Sequence, residues 1–221
     1  LFAGWLTIAQ VFSLDAANSA PYYDRFIKTL LFIVLCAQMA AGKLRFNALV
    51  WTVVASIGFL AAKGALFTFV TLGQYRVQGL PNTVLEDNNH FGIAVAAILP
   101  LILYLRAEAA RPIVRQGLLV LFGLSVVAII GTQSRGAFLS LIVFSGYFWI
   151  RAKHKFAILG GLALLMIPTI AFMPSKWTER MSTISEATED ASFMGRVDAW
   201  VINTKLAVEH PFTGAGLRNS Y

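Results

Sequence analysis

The sequence predicts an all-α fold, a polytopic transmembrane helical bundle of about seven spans with a large extracytoplasmic loop beginning at its C-terminal end. Three observations predict it. First, 57% of the 221 residues are hydrophobic and 13% are charged, against roughly 25% charged in an ordinary soluble domain; the mean hydropathy is +0.69. So few charges do not cover the surface of a water-soluble globule of this size. Second, the charges fall in clusters that bracket long apolar runs. Third, those runs are apolar on every face rather than alternating, which selects helices over barrel strands. The apolar fraction also excludes disorder, and 17 Gly and a single Cys exclude collagen-like and disulfide-rich classes.

The apolar runs lie at 2–14, 26–41, 46–62, 91–105, 118–131, 138–150 and 156–173. Several fall short of the ~20 residues that cross ~30 Å of hydrocarbon, so they take in flanking residues such as Asn89, Gln116 and Thr132. This gives a transmembrane region over 1–173, with an outer loop at 63–89, and the start of a large outer loop over 174–221. The chain opens on Leu1 and stops at Tyr221 within a polar stretch, and it reads as a portion of a longer protein with both ends missing.

Orientation follows from the short loops. Residues 42–45, 106–116 and 151–155 hold eight basic residues and one acid, Glu108, and they alternate with the other loops. The positive-inside rule makes these three cytoplasmic. The other ten acids then lie outside, together with the 132–137 turn. The net charge of +7 is thus a topology signal in large part, and no nucleic-acid partner is expected.

Several polar or reactive residues have plain structural readings. Cys36 sits in an apolar run and reads as a small buried side chain. His154 belongs to a basic cytoplasmic loop, while Pro100 and Pro168 lie within spans, where a kink is the ordinary outcome. Glu186, Glu189 and Asp190 form a solvated face; no His or further carboxylate stands at ligand spacing, so neither a metal nor a cofactor is expected. No internal repeat is visible.

Three arginines stand apart because they lie on the outer face, where orientation does not call for positive charge. They are Arg76 in Gly73–Gly79, Arg135 in the short turn Gly131–Ala137, and Arg196 in Met194–Trp200. An ionisable group held at the membrane boundary is a functional candidate by default. Guanidinium groups suit phosphate because their planar fork donates two parallel charge-assisted hydrogen bonds. Each arginine alone is equally suited to interfacial anchoring; the three together, with the Thr132 and Ser134 hydroxyls beside one of them, favour a lipid phosphate or pyrophosphate site.

Asp87-Asn88-Asn89-His90 forms a polar knot ahead of the fourth span. It is suited to capping that helix, or to binding sugar hydroxyls with Asp87 as a general base, and spacing does not separate these. Lys63-Gly64 is expected to close the third span, with Lys63 as a snorkelling anchor and residues 64–72 lying along the outer leaflet. Glu209 to Gly216 reads as a helix stop followed by a Gly-rich turn, with His210 as a capping residue or, alternatively, a base. The turn lacks the Lys and the strand-to-helix setting of a nucleotide loop.

Lys63-Gly64, Tyr75-Arg76-Val77-Gln78-Gly79 and Glu86-Asp87-Asn88-Asn89-His90-Phe91, ahead of a span containing Leu99-Pro100-Leu101, together resemble the bacterial O-antigen ligase and polymerase superfamily. The resemblance is strongest to the O-glycosylation ligases associated with exosortase A systems. Thr132-Gln133-Ser134-Arg135-Gly136-Ala137 resembles the superfamily's T-x-S-R-G-A turn. Gly195 to Trp200, with His210 to Gly216, resembles the start of its large periplasmic loop. Leu80-Pro81 departs from the expected Gly-Pro, which bears on the shape of that loop.

The resemblance implies an inner-membrane glycosyltransferase that takes a glycan from undecaprenyl pyrophosphate and joins it to a lipid or protein acceptor in the periplasm. It implies donor-pyrophosphate binding by Arg76, Arg135 and Arg196, with Lys63, Asp87, Asn88, Ser134 and His210 in possible support. It places the functional His later in the large loop, beyond Tyr221, so the catalytic base is unnamed here. A polysaccharide polymerase of the same superfamily is the nearest alternative, since its donor site would look alike. A transporter or flippase is more distant, because it predicts ionisable residues in mid-span and paired broken helices.

Overall fold

The computed structural model describes residues 1–151 and 191–217, together with Gly160, Gly161, Ala163 and Ile167. The rest of the predicted span 156–173, including Pro168, lies outside the described residues, as do His154, Glu186, Glu189 and Asp190. Among the described residues there are seven main helices and no strand: α1 (Phe2–Val11), α2 (Ala16–Met39), α3 (Lys43–Val70), α4 (Asn88–Glu108), α5 (Pro112–Gly131), α6 (Arg135–Arg151) and α7 (Ala191–Glu209). The chain divides into two compact units, Leu1–Phe46 with Glu186–Tyr221, and Asn47–Ser185.

Helices α3, α4 and α5 are long and apolar enough to cross a membrane. At 1.5 Å per residue, the 28 residues of α3 extend about 42 Å. The 17 residues of α6 extend about 26 Å, just under the hydrocarbon thickness, and the ten residues of α1 fall well short of it. Helix α2 begins ten residues before the predicted second span, because Asp15 caps it by accepting a hydrogen bond from the Asn18 N–H. That extension brings Asp24, Arg25 and Lys28 into the helix, with Lys28 and Asp24 paired at 2.6 Å on its exposed side.

In the second unit, α4 packs on α5 and α6, and α5 also meets α6. Helix α3 joins them through a stripe of small residues, Gly58, Ala61, Gly64, Ala65 and Thr68, all buried. Small side chains let backbones approach closely, which matters where lipid supplies no hydrophobic force between helices. Facing them are Phe91, Val95 and Leu99 of α4 and the run Val126–Ile130 of α5, which form one continuous core. A second cluster at the other end joins Val50 and Val54 to Ile98, Ile102, Leu105 and Leu118. Phe59, Phe67, Phe69, Leu119, Val120, Ile142 and Val143 stay exposed, as side chains facing lipid do.

One expectation is corrected. Helix α3 does not close at Lys63-Gly64 but continues to Val70, so residues 64–70 belong to the bundle and do not lie along its surface. The physical reason is burial: Gly64, Ala65 and Thr68 pack inward, while Lys63 is exposed on the opposite side and does not interrupt the helix.

In the first unit α1 packs on α2, and the Gly-rich turn after α7 docks on the corner between them. Leu14 N–H donates to the Ala215 carbonyl at 3.1 Å, and Leu217 N–H donates to Ser19 Oγ at 3.0 Å. Ser19 is fully buried and itself donates to Gln10 Oε1.

Candidate functional site

The antiparallel path of α3 to α6 brings four helix termini to one end of the second unit: the C-termini of α3 and α5 and the N-termini of α4 and α6. Two connections meet there, loop 71–87 and turn 132–134. The connection between α4 and α5 lies at the other end, with Arg106 in the last turn of α4, Arg111 as the N-cap of α5 and Arg115 in its first turn.

Close approach makes this end compact. A Cβ at Gly131 would collide with Thr68 Oγ1 and stand 3.0 Å from Val77 Cγ2, and one at Gly92 would stand 2.6 Å from Ala137 Cβ. Only glycine fits at either crossing. The Gly131 carbonyl thereby reaches loop 71–87 and accepts the Val77 N–H at 3.0 Å. Val77 is buried while its neighbour Arg76 is exposed, so the residue beside Arg76 is pinned and the guanidinium side stays accessible.

The turn itself is built from buried polar residues. Thr132, Gln133 and Ser134 are all under one-tenth exposed. Asn88 Nδ2 donates to the Thr132 carbonyl at 2.8 Å, Gln133 Nε2 donates to the Gly73 carbonyl at 2.9 Å, and Ser134 Oγ donates to Asn89 Oδ1 at 2.8 Å. Thr132 Oγ1 donates to the Ile129 carbonyl at 2.6 Å, and Ser134 Oγ accepts the Ala137 N–H at 3.3 Å. Backbone that departs from helical geometry in a membrane bundle must find such partners within the protein. Arg135 follows at once as the first residue of α6 and is half-buried.

Asp87 is placed where it caps a helix. It is the N-cap of α4, and its Oδ1 accepts the backbone N–H groups of Asn89 at 2.8 Å and His90 at 3.2 Å. Burial would raise the Asp87 carboxyl, but those two N–H bonds, with help from the Asn89 side chain and His90, outweigh it and hold the group below the usual carboxylate range. The neighbouring amides do not cap; they tie α4 to the turn.

Loop 71–87 is folded on itself at Leu80-Pro81. Asn82, at φ +59, donates its N–H to Glu86 Oε2 at 2.8 Å, and Thr83 Oγ1 donates to the Leu80 carbonyl at 2.7 Å. The side chain of Glu86 thus closes a compact turn that begins at Leu80-Pro81.

The structure therefore gathers Asp87, Asn88, Ser134, Arg135 and the Arg76 loop at one end of the second unit. Lys63 lies seven residues before the end of α3, exposed. Arg196 and His210 belong to the first unit: Arg196 is exposed on α7, and His210 ends that helix by donating its N–H to the Leu206 carbonyl, while its own carbonyl accepts Gly214 N–H, both at 2.9 Å. Sequence reasoning missed Gln133 and the glycine crossings. An amide set between two hydroxyls in a turn joining two apolar spans was the available signal for Gln133. Among the described residues no group of His, Cys, Asp and Glu is arranged to hold a metal ion.

Comparison with known families gives two matches. Residues 119–221 match the family described as O-Antigen ligase, and residues 1–110 match a family of unknown function (DUF5935). The first match contains the turn, Arg135, Arg196 and His210; the second contains Lys63, Arg76, Asp87 and Asn88. Searches of the curated proteins and of the solved structures find no match to the chain. The O-Antigen ligase match covers a little under half of the chain; with the three long apolar helices it supports a ligase-like, glycan-processing role at a membrane.

Proposed function

We propose that the chain transfers a glycan from undecaprenyl pyrophosphate to a lipid or protein acceptor on the periplasmic side of the bacterial inner membrane, as an O-glycosylation ligase of the exosortase-associated kind. Arg76 and Arg135 bind the donor diphosphate. The observation that carries this reading is the joining of the Arg76 loop to the turn preceding Arg135, through Val77 N–H to Gly131 and Gln133 Nε2 to Gly73, within a chain whose C-terminal part matches the O-antigen ligase family.

In the reaction, the acceptor hydroxyl oxygen bonds to the anomeric carbon as the bond from that carbon to the diphosphate oxygen breaks. The electron pair leaves with the diphosphate, and the hydroxyl proton passes to a general base. Guanidinium donors aimed at the departing diphosphate lower the barrier because negative charge grows there during bond breaking. Asp87, Asn88 and Ser134 hold the helix ends and the turn in place.

The test is an in vitro transfer assay with the intact protein in lipid nanodiscs, undecaprenyl-pyrophosphate-linked glycan and candidate acceptors. Arg135→Ala is expected to insert and fold normally and to lower turnover by about 10²-fold or more. Undiminished transfer by a folded Arg135→Ala protein would sink the site assignment, and extension of the lipid-linked glycan itself would mark a polymerase instead.

A further inference from the structure

Gln133 occupies a backbone conformation that its side chain does not favour. Its φ is +53, in the left-handed region where Gly is free and Asn is enriched, whereas a longer side chain meets steric cost. It is also buried, which adds the cost of desolvating an amide. A turn alone would be served better by Asn or Gly. What Gln supplies beyond them is reach: Nε2 crosses to the Gly73 carbonyl, 60 residues earlier in the chain, at 2.9 Å. Gly73 ends the turn after α3, with its N–H on the Thr68 carbonyl at 3.0 Å, and Arg76 follows three residues later. At its other side Gln133 stands two residues before Arg135.

A backbone bond also links the two segments, Val77 N–H to the Gly131 carbonyl at 3.0 Å. Two bonds, one on each side of Arg76, fix the segment between Gly73 and Val77 against the turn; one bond leaves it a pivot. Strain that the surroundings over-determine is concentrated where geometry matters for ligands.

We propose that Gln133 is a positioning residue: its amide locks the Arg76 loop to the Arg135 turn so that the two guanidinium groups are preset to receive one diphosphate. This rests on the diphosphate-binding reading of Arg76 and Arg135. Preorganisation lowers the ordering cost of binding, so losing the lock weakens affinity for the anion even though Gln133 never touches it.

The decisive variant is Gln133→Asn. Asn suits the left-handed backbone better, so the turn persists, but its side chain is shorter by about 1.5 Å, one carbon–carbon bond, and no longer reaches Gly73. Gln133→Glu is the second variant; it keeps the length and removes the N–H donor. Both are compared with the parent and with Arg135→Ala in the intact protein in nanodiscs, by calorimetric titration with inorganic pyrophosphate, by hydrogen exchange of the amides at 74–79, and by thermal unfolding. For Gln133→Asn the expected result is about tenfold weaker pyrophosphate binding and about tenfold faster exchange at 74–79, with cooperative unfolding retained. Gln133→Glu is expected to show the same exchange. Unchanged pyrophosphate binding by a folded Gln133→Asn protein, while Arg135→Ala loses it, overturns the positioning role and leaves the diphosphate site standing. Unchanged binding by Arg135→Ala overturns the diphosphate site, and the positioning role with it.

Discussion

Gly131 is the position at which packing and the candidate site are most tightly coupled, and Gly131→Ala tests that coupling. The added methyl group meets Thr68 Oγ1 head on, with Thr68 Cβ at 3.1 Å and Val77 Cγ2 at 3.0 Å. Thr68 is buried, and its hydroxyl is held on the Gly64 carbonyl of its own helix at 2.9 Å, so it has no rotamer into open space. Overpacking of this kind costs about 1–3 kcal/mol. Relief comes by moving α3 or the Val77 segment away, which stretches the Val77 N–H bond to Gly131. Thr68→Ala removes the head-on contact but leaves those at 3.0 and 3.1 Å, so it recovers about half of the loss. By itself Thr68→Ala changes stability by only about 1 kcal/mol, since its hydroxyl bonds within one turn of its own helix. The assay is unfolding of the four proteins of the double-mutant cycle in nanodiscs, with hydrogen exchange of Val77 as the local reporter. A neutral Gly131→Ala, or a loss that Thr68→Ala does not reduce, would refute the crossing of α3 and α5 at these residues.

Two further perturbations test the rest of the scaffold. Asp87→Ala removes the N-cap of α4 and is expected to lower stability by about 0.5–2 kcal/mol at neutral pH. Because the folded-state carboxyl is held below its ordinary value, its contribution is complete above the unfolded pKa, near 3.9, and is lost as pH falls through the folded one; Asp87→Asn, still a good cap, should flatten that acid dependence in a pH series of unfolding curves. In the first unit, Ser19→Ala leaves Gln10 Oε1 and Leu217 N–H without the hydroxyl that joins them. A cost of about 1–3 kcal/mol is expected, read as faster limited proteolysis within 210–217; an unchanged cleavage rate counts against the docking of that turn.

Much of this architecture was legible in the sequence because its cause is local. Apolar runs bracketed by charge gave α3, α4 and α5, and Asp87 ahead of an apolar run has the signature of an N-cap. The charge alternation assigned 63–89 and the 132–137 turn to one face; the structure has loop 71–87 and turn 132–134 there. What was not legible depended on tertiary contact. Lys63 was read as a helix end because a cation interrupts the apolar run, yet the helix continues: burial of Gly64, Ala65 and Thr68 on one side decides the matter, and an exposed Lys on the other is tolerated. The early start of α2 has the same character, since the Asp15 cap extends the helix through polar residues that hydropathy alone excludes.

The division of labour among the polar residues follows from what each is bonded to. In the sequence Asn88 and Asn89 are suited to capping or to sugar hydroxyls, Gln133 carries no reading, and Ser134 stands beside a phosphate candidate. In the folded chain their side chains bond to Thr132, to Ser134, to Gly73 and to Asn89. A buried amide that gave up such a partner for a ligand would leave a backbone carbonyl desolvated and unpaired, at a cost of about 1–3 kcal/mol for each bond lost. Their contribution is therefore to hold non-helical backbone together in a membrane bundle. A diphosphate, by contrast, calls for charge, and the cations at this end are carried on the two segments that these amides and hydroxyls fasten together. On the proposed diphosphate reading, donor binding is the work of Arg76 and Arg135, and its geometry that of their neighbours. Substitutions should divide accordingly: loss of an arginine removes diphosphate affinity with the fold intact, whereas loss of Asn88 or Ser134 loosens the turn and lowers stability along with affinity.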